Sequence, residues 1–162
     1  MGPLTQIIFV YILSFYIDNS NLVLFNYYNR LILLFNMLPI YPLDGGKLLN
    51  IVINYFISFY KSYQITLYIS YFLFISCFIV ILIYYFNLIL FIIFLLLGIM
   101  LIKEFKKAPF YYQRFLLERY INNYFFSRIK NIKSIENMKR DNYHFIRGIS
   151  EKEYLRIYFN SK

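Results

Sequence analysis

The sequence predicts a mainly α-helical, polytopic membrane protein with about four spans and one interfacial amphipathic helix, followed by a small cytoplasmic α/β-like segment. Hydrophobic residues make up 60% of the 162 residues, and the mean hydropathy is +0.54. A chain of this length cannot bury so much apolar surface, so lipid must solvate a large part of it. Charged residues are concentrated near the end of the chain. Residues 103–162, called the C-terminal segment below, contain 14 basic and 6 acidic residues, whereas residues 1–102 contain five charged residues.

Apolar runs place the four spans near residues 4–17, 22–43, 65–86 and 88–102, so that residues 1–102 form the membrane domain. The first run is shorter than the roughly 20 residues that a span needs. Polar residues 18–21 are expected to form a loop, and Asn87 is expected to form the turn between the last two spans. Arg30 lies within the second run, either at the outer interface or snorkelling from inside the span.

Residues 47–60 predict the interfacial helix. Asn50, Asn54 and Ser58 are spaced four residues apart among apolar residues, which puts them on one helical face. Lysines stand at both ends of this stretch, at Lys47 and Lys61. Such a helix is expected to lie near the membrane–water interface.

The distribution of basic residues predicts the orientation. With four spans, both chain ends lie on one side of the membrane, together with Lys47, Lys61 and the C-terminal segment, while the loops opposite carry no Lys or Arg. The positive-inside rule then places both termini in the cytoplasm of an integral protein of the cell membrane. The basic segment is interpreted as a juxtamembrane region in contact with membrane lipid, and no nucleic-acid partner is expected.

One stretch carries the chemistry: residues 36–46 read N-x-x-P-x-x-P-L-D-G-G. A carboxylate at membrane depth is costly unless it is paired or bound to metal, so Asp44 is a candidate site residue. Pro39 and Pro42 interrupt any helix and leave irregular backbone, which is tolerated there only where protein or water covers it. Asp44-Gly45-Gly46 taken alone favours Asp44 as the N-cap of the following helix, and it is the whole eleven-residue pattern that favours a site residue.

The full spacing resembles the second signature of the site-2 protease family of intramembrane zinc metalloproteases, in its sporulation-type branch. The resemblance implies that Asp44 is a zinc ligand, that Asn36, Pro39 and Pro42 position the substrate, and that Leu43, Gly45 and Gly46 support the motif. It also implies regulated intramembrane proteolysis of membrane-protein substrates. Residues 132–149 more loosely resemble the start of a cytoplasmic, nucleotide-sensing CBS domain, although the segment is too short for a complete CBS pair.

The rest of the zinc site has no candidates in the sequence. A catalytic zinc needs about three protein ligands and a water that a carboxylate can deprotonate. The chain has one histidine, His144, and no H-E-x-x-H, so two ligands and the general base are missing. His144 is expected to be a surface or packing residue. The chain is therefore not expected to be an active metalloprotease by itself.

The match is expected to cover the C-terminal portion of such an enzyme, with Gly2-Pro3-Leu4 resembling the turn before its third span. Three explanations stay open: a truncated reading frame, a split enzyme completed by a separate N-terminal fragment that carries H-E-x-x-H, and an inactive homologue. Two rival functions also remain. One is a non-catalytic membrane scaffold, and the other is a small channel or transporter subunit that uses Asp44 as an ion site.

Overall fold

The computed structural model describes residues 5, 8, 10–12, 19–84, 87–122, 124, 126 and 128–160, and the chain is mostly helical with a small sheet near its C-terminal end. The helices are α1 (Asn19–Asn36), α2 (Asp44–Phe56), α3 (Phe59–Tyr84), α4 (Leu88–Ile121) and α5 (Glu151–Asn160). The strands are β1 (Ile129–Ile132), β2 (Tyr143–Ile146) and β3 (Ile149–Ser150), with a short 3-10 helix at Ile135–Asn137.

Helices α3 and α4 are long and apolar enough to cross a membrane. Helix α4 contains the predicted span 88–102, and α3 contains residues 65–84 of the predicted span 65–86, whose last two residues lie outside the described part of the chain. In each, only 17% of the most apolar stretch is buried inside the protein, so these are not core helices of a soluble domain. The turn predicted at Asn87 is confirmed: its side chain accepts a hydrogen bond from the Ile89 backbone nitrogen at 2.9 Å and caps α4.

Four spans are not confirmed. The predicted span 4–17 falls mostly outside the described residues. Within the predicted span 22–43 the helix ends at Asn36, because Pro39 and Pro42 follow, and no third helix in the described part of the chain meets the same length and hydropathy criteria. Residues 19–21, predicted as loop, form the first turn of α1, a position that polar residues favour.

The junctions between α2, α3 and α4 also differ from prediction. The expected helix 47–60 begins earlier, at Asp44, and ends at Phe56, and α3 starts at Phe59. Helix α4 does not stop near residue 102 but runs on to Ile121. Lys, Glu, Gln and Ala are good helix formers, so the polar residues after 102 prolong the helix rather than end it.

The α/β-like pattern of the C-terminal segment is confirmed as a three-stranded sheet with α5 packed on it. Strand β2 is central, parallel to β1 and antiparallel to β3. The turn from β2 to β3 uses positive φ at Arg147 (51°) and Gly148 (83°), as tight hairpins require. The core of this unit consists of Phe115, Leu116, Met138, Ile146 and Leu155, so the end of α4 is part of it.

The sheet, α5 and the end of α4 together form the C-terminal unit, and this unit contacts the junction between α2 and α3. The Phe59 backbone nitrogen donates to the carbonyl oxygen of Met138 at 3.0 Å, and the Phe59 ring stacks on Phe115 with 4.3 Å between centroids. The ammonium group of Lys139 donates to the carbonyl oxygen of Phe56, the last residue of α2. The unit thus holds the far end of the helix that begins at Asp44.

Candidate functional site

The predicted motif residues lie together, in the loop between α1 and α2 and in the first turn of α2. Asn36 is the last residue of α1, Pro39 and Pro42 lie in the loop, and Leu43 is the N-cap of α2. Asp44 is the first helical residue. Within the loop, the backbone nitrogen of Ile40 donates to the Leu38 carbonyl at 2.7 Å, and that of Leu43 to the Ile40 carbonyl at 2.8 Å.

The two glycines allow this loop to fold back onto α2. A Cβ at Gly45 would lie 2.1 Å from the carbonyl oxygen of Met37 and 2.4 Å from that of Leu38. A Cβ at Gly46 would lie 2.8 Å from the Ile40 carbonyl carbon. These are backbone atoms, which cannot yield as a flexible side chain could. Only glycine therefore permits this contact between loop and helix.

Ser70 of α3 anchors the loop from the other side. Its fully buried hydroxyl accepts a hydrogen bond from the Tyr41 backbone nitrogen at 3.0 Å. The same hydroxyl lies 2.8 Å from the Thr66 carbonyl and 3.3 Å from the Pro39 carbonyl, either of which can accept its proton. The irregular backbone between the prolines is thereby satisfied by the protein, as burial requires.

Asn50 connects α2 to the same face of α3. Its side-chain oxygen accepts a hydrogen bond from the Ser62 hydroxyl at 2.9 Å and lies 3.4 Å from the hydroxyl of Thr66, and its amide nitrogen lies 3.5 Å from the Tyr41 hydroxyl. The predicted amphipathic period of this helix is present, but its polar face is turned inward. Asn54 is buried on that face, and Ser58, just beyond the helix end, is buried as well.

The carboxylate of Asp44 is partly accessible, with 24% of its side chain exposed, and it accepts a hydrogen bond from Lys47 Nζ at 2.9 Å. This bond holds the pKa of the Asp44 carboxyl below its usual value, so the group is ionised at neutral pH. The N-cap alternative for Asp44 is wrong, because Leu43 occupies that position. A carboxylate in the first turn is nevertheless favoured by the positive end of the helix dipole.

Asp44 lies at the head of an exposed apolar stripe. Leu48, Ile51, Val52 and Tyr55 follow it at intervals of four, seven, eight and eleven residues, which is one helical face. Their exposed fractions run from 46% to 69%. The orientation of α2 is thus the reverse of that of an amphipathic helix on a soluble protein. Its polar side chains face the protein interior, and its apolar face is exposed.

The residues that the structure describes fit the role of one zinc donor and not of a complete site. A carboxylate oxygen is an ordinary zinc ligand. No group of three His, Cys, Asp or Glu side chains comes together anywhere in those residues, however.

His144 is a buried packing residue of the C-terminal unit. Packing was one of the two roles expected for it, the other being a surface position. Its ring nitrogens lie 3.1 Å from the Lys139 backbone nitrogen and 3.2 Å from Glu151 Oε2.

Sequence reasoning missed the partners of the loop. Ser62, Thr66 and Ser70 form a stripe of period four in an otherwise apolar helix, and all three are fully buried against α2 and the loop. This period was visible in the sequence and could have identified the face of α3 that packs on a polar neighbour. Tyr63 and Glu104, which lie beside this stripe, carry no comparable signal because their pairing depends on how α3 and α4 pack.

No family model matches the chain. The chain is similar to Stage IV sporulation protein FB of Bacillus subtilis (strain 168), with 36% identity over 99 residues. The match covers 60% of this chain and 34% of the relative, so the chain spans about a third of the length of the protein it matches. That relative is a member of the site-2 protease family, and the resemblance inferred from the motif is confirmed. With the two apolar helices, it indicates a membrane protein.

Proposed function

We propose that this chain supplies the aspartate ligand and the substrate-positioning loop of a site-2-type intramembrane zinc metalloprotease. The similarity to a site-2 protease family member supports the class of protein. The single observation that carries the proposal is the position of Asp44, an ionised carboxylate at the head of the exposed apolar stripe of α2.

The stripe is the surface on which the rest of the metal site is assembled. A helix packed along Leu48, Ile51 and Tyr55 buries their exposed side chains and brings its own residues next to Asp44. The two histidines and the general-base glutamate of an H-E-x-x-H helix are the groups that Asp44 lacks. They come from outside these 162 residues, whether from a longer protein or from a separate polypeptide.

Zinc, when bound, supplies a water of lowered pKa that can attack a peptide bond. This chain contributes the carboxylate, which is already ionised, and a rigid frame for it. Lys47 donates a hydrogen bond to one carboxylate oxygen of Asp44. Anchoring by Ser70 and the close contact at Gly45 fix the position of the loop directly before Asp44.

Asn36, Pro39 and Pro42 position the substrate in this proposal. The Asn36 side chain, half-buried at the end of α1, makes no hydrogen bond to another described residue, so its amide is available to a substrate backbone.

The substrates are membrane proteins, and both chain ends face the cytoplasm. The C-terminal segment is a partial CBS-like regulatory domain that reaches the end of α2 through Lys139 and the start of α3 through Met138.

The test is reporter cleavage in a bacterial host. The chain is co-expressed with the N-terminal spans of Stage IV sporulation protein FB, which we expect to carry the histidine ligands, and with a tagged single-span reporter. We expect cleavage with the wild-type chain, cleavage at background with Asp44→Asn, and full cleavage with Asp141→Asn, a control at an exposed acidic residue.

The rival functions predict other results. A scaffold gives no cleavage from any combination, although the pair associates. A channel or transporter subunit gives ion flux in liposomes that contain this chain alone, and that flux is lost in Asp44→Asn. Either result would contradict the protease proposal.

A further inference from the structure

A cavity of about 310 Å³ lies beside the loop, and no residue of the apolar stripe lines it. Its walls include Tyr41 and Pro42 of the loop, Tyr63 of α3, and Glu104 and Tyr111 of α4. Pro42 stands two residues before Asp44 in the chain. The cavity is therefore adjacent to the loop that positions the substrate, but it contains none of the motif's charged groups.

Glu104 is the acidic group of this cavity, and only 14% of its side chain is exposed. Its Oε2 accepts a hydrogen bond from the Tyr63 hydroxyl at 3.1 Å, which fixes the orientation of the carboxylate. Its Oε1 lies 3.1 Å from the ammonium of Lys107. The Lys107 side chain is 53% exposed and reaches back three residues along α4, the kind of surface pair that contributes little to stability. Another cation can therefore replace Lys107 at Oε1.

The aromatic rings around Glu104 also favour a cation. The Tyr63 ring lies 5.7 Å from that of Tyr41 and 5.5 Å from that of Tyr111, centroid to centroid. Rings grouped in this way attract ammonium and guanidinium groups through their negative faces. Lys47, which also lines the cavity, has its own charge engaged by Asp44 at 2.9 Å.

The cavity lies at the level, relative to the membrane, where membrane proteins carry the basic residues that flank their spans. Glu104 lies two residues after the predicted end of the last span at 102, on the side to which the proposed orientation assigns the cytoplasm. Membrane proteins carry an excess of Lys and Arg at the cytoplasmic ends of their spans. A span held next to the loop thus brings such a residue to the level of Glu104.

We infer that this cavity binds a lysine or arginine side chain at the cytoplasmic flank of a substrate span, which makes Glu104 a specificity-determining residue. The inference rests on the proposed function, since it needs a membrane-protein substrate beside the loop. It needs no zinc, because binding precedes any chemistry.

The test is a binding measurement on the full chain in dodecyl maltoside, whose head group carries no charge. The probes are two fluorescent single-span peptides of leucine, identical except for one flanking lysine or norleucine. We expect the wild-type chain to bind the lysine peptide about tenfold more tightly, because a charged hydrogen bond is gained. Glu104→Gln should remove that preference, and Lys107→Met should increase it by removing the competing cation.

Two further variants make the outcome decisive. Tyr63→Phe keeps the ring but frees Glu104, and should reduce the preference even if Glu104→Gln fails to fold. Asp141→Asn, which removes an exposed carboxylate that does not line the cavity, should keep the full preference. Because the assay contains neither zinc nor an H-E-x-x-H partner, its outcome is separate from the fate of the zinc proposal. Equal binding of the two peptides by the wild-type chain, or a preference unchanged in both Glu104→Gln and Tyr63→Phe, would overturn it.

Discussion

The hydroxyl oxygen of Ser70 lies 3.0 Å from the backbone nitrogen of Tyr41 and accepts its hydrogen bond. The two residues are 29 positions apart, and both are buried. A loop that contains two prolines has few local partners for its backbone, so a side chain from another helix supplies one. The position of Asp44 thus depends on a residue in the middle of α3.

Replacing Ser70 by Ala should leave the Tyr41 backbone nitrogen buried without a partner. We expect a loss of about 1–3 kcal/mol in the free energy of unfolding in detergent micelles, with faster hydrogen exchange at the Tyr41 amide. The matched control is Ser76→Ala on the same helix, where the hydroxyl only bonds back to the exposed Phe72 carbonyl. Equal stability of the two variants would contradict the anchoring role of Ser70.

Replacing Gly45 by Ala should displace the loop, because the new Cβ meets backbone oxygens at 2.1 and 2.4 Å. We expect a loss of about 3 kcal/mol or more, at the upper end of overpacking costs. Gly98→Ala is the control, since its Cβ meets only the movable tip of the Phe74 ring at 3.1 Å. Unfolding followed by circular dichroism in micelles would compare them, and similar losses would show that Gly45 has no special role.

Replacing Arg119 by Met should weaken the C-terminal unit. Arg119 Nε lies 3.6 Å from Glu151 Oε1 with both side chains buried, and its Nη2 donates to the Asn142 carbonyl at 2.9 Å. Removing one partner of a buried ion pair costs about 3–5 kcal/mol. The exposed pair between Arg114 and Glu118 is the control, for which Arg114→Met should cost about 0–1 kcal/mol.

Hydrogen exchange of the amides of β2 and α5 would measure the effect of Arg119→Met. The double variant Arg119→Met/Glu151→Gln should recover part of the loss, because it no longer buries a carboxylate that has lost its guanidinium partner. No recovery would mean that the carbonyl contacts of Arg119, and not its charge, stabilise the unit.

The features predicted correctly depend on local sequence. Apolar length identified α3 and α4, Asn87 identified their turn, and the motif identified where the chain stops being helical. The features predicted wrongly depend on distant contacts. Good helix formers carry α4 past residue 102, and its far end is held by the packing of Phe115 and Leu116 on Met138 and Leu155, a contact that no local pattern predicts.

In the candidate site, too, the features that could be predicted depend on local sequence and the others depend on distant contacts. The spacing of Asn50 and Asn54 predicted a polar face, but periodicity cannot tell whether that face meets water or the stripe of Ser62 and Thr66. The need for glycine at position 45 follows from the Met37 carbonyl above it, a contact that exists only in the folded chain. The role of Asp44 as a ligand stays a prediction.

The most direct test is the zinc content of the purified pair formed by this chain and the H-E-x-x-H-bearing spans. Elemental analysis should find about one zinc per pair with the wild-type chain, and a large loss with Asp44→Ala but not with Glu118→Gln, a control at an exposed carboxylate. Undiminished zinc in the Asp44→Ala pair would contradict the account, because the metal would then be held without the aspartate.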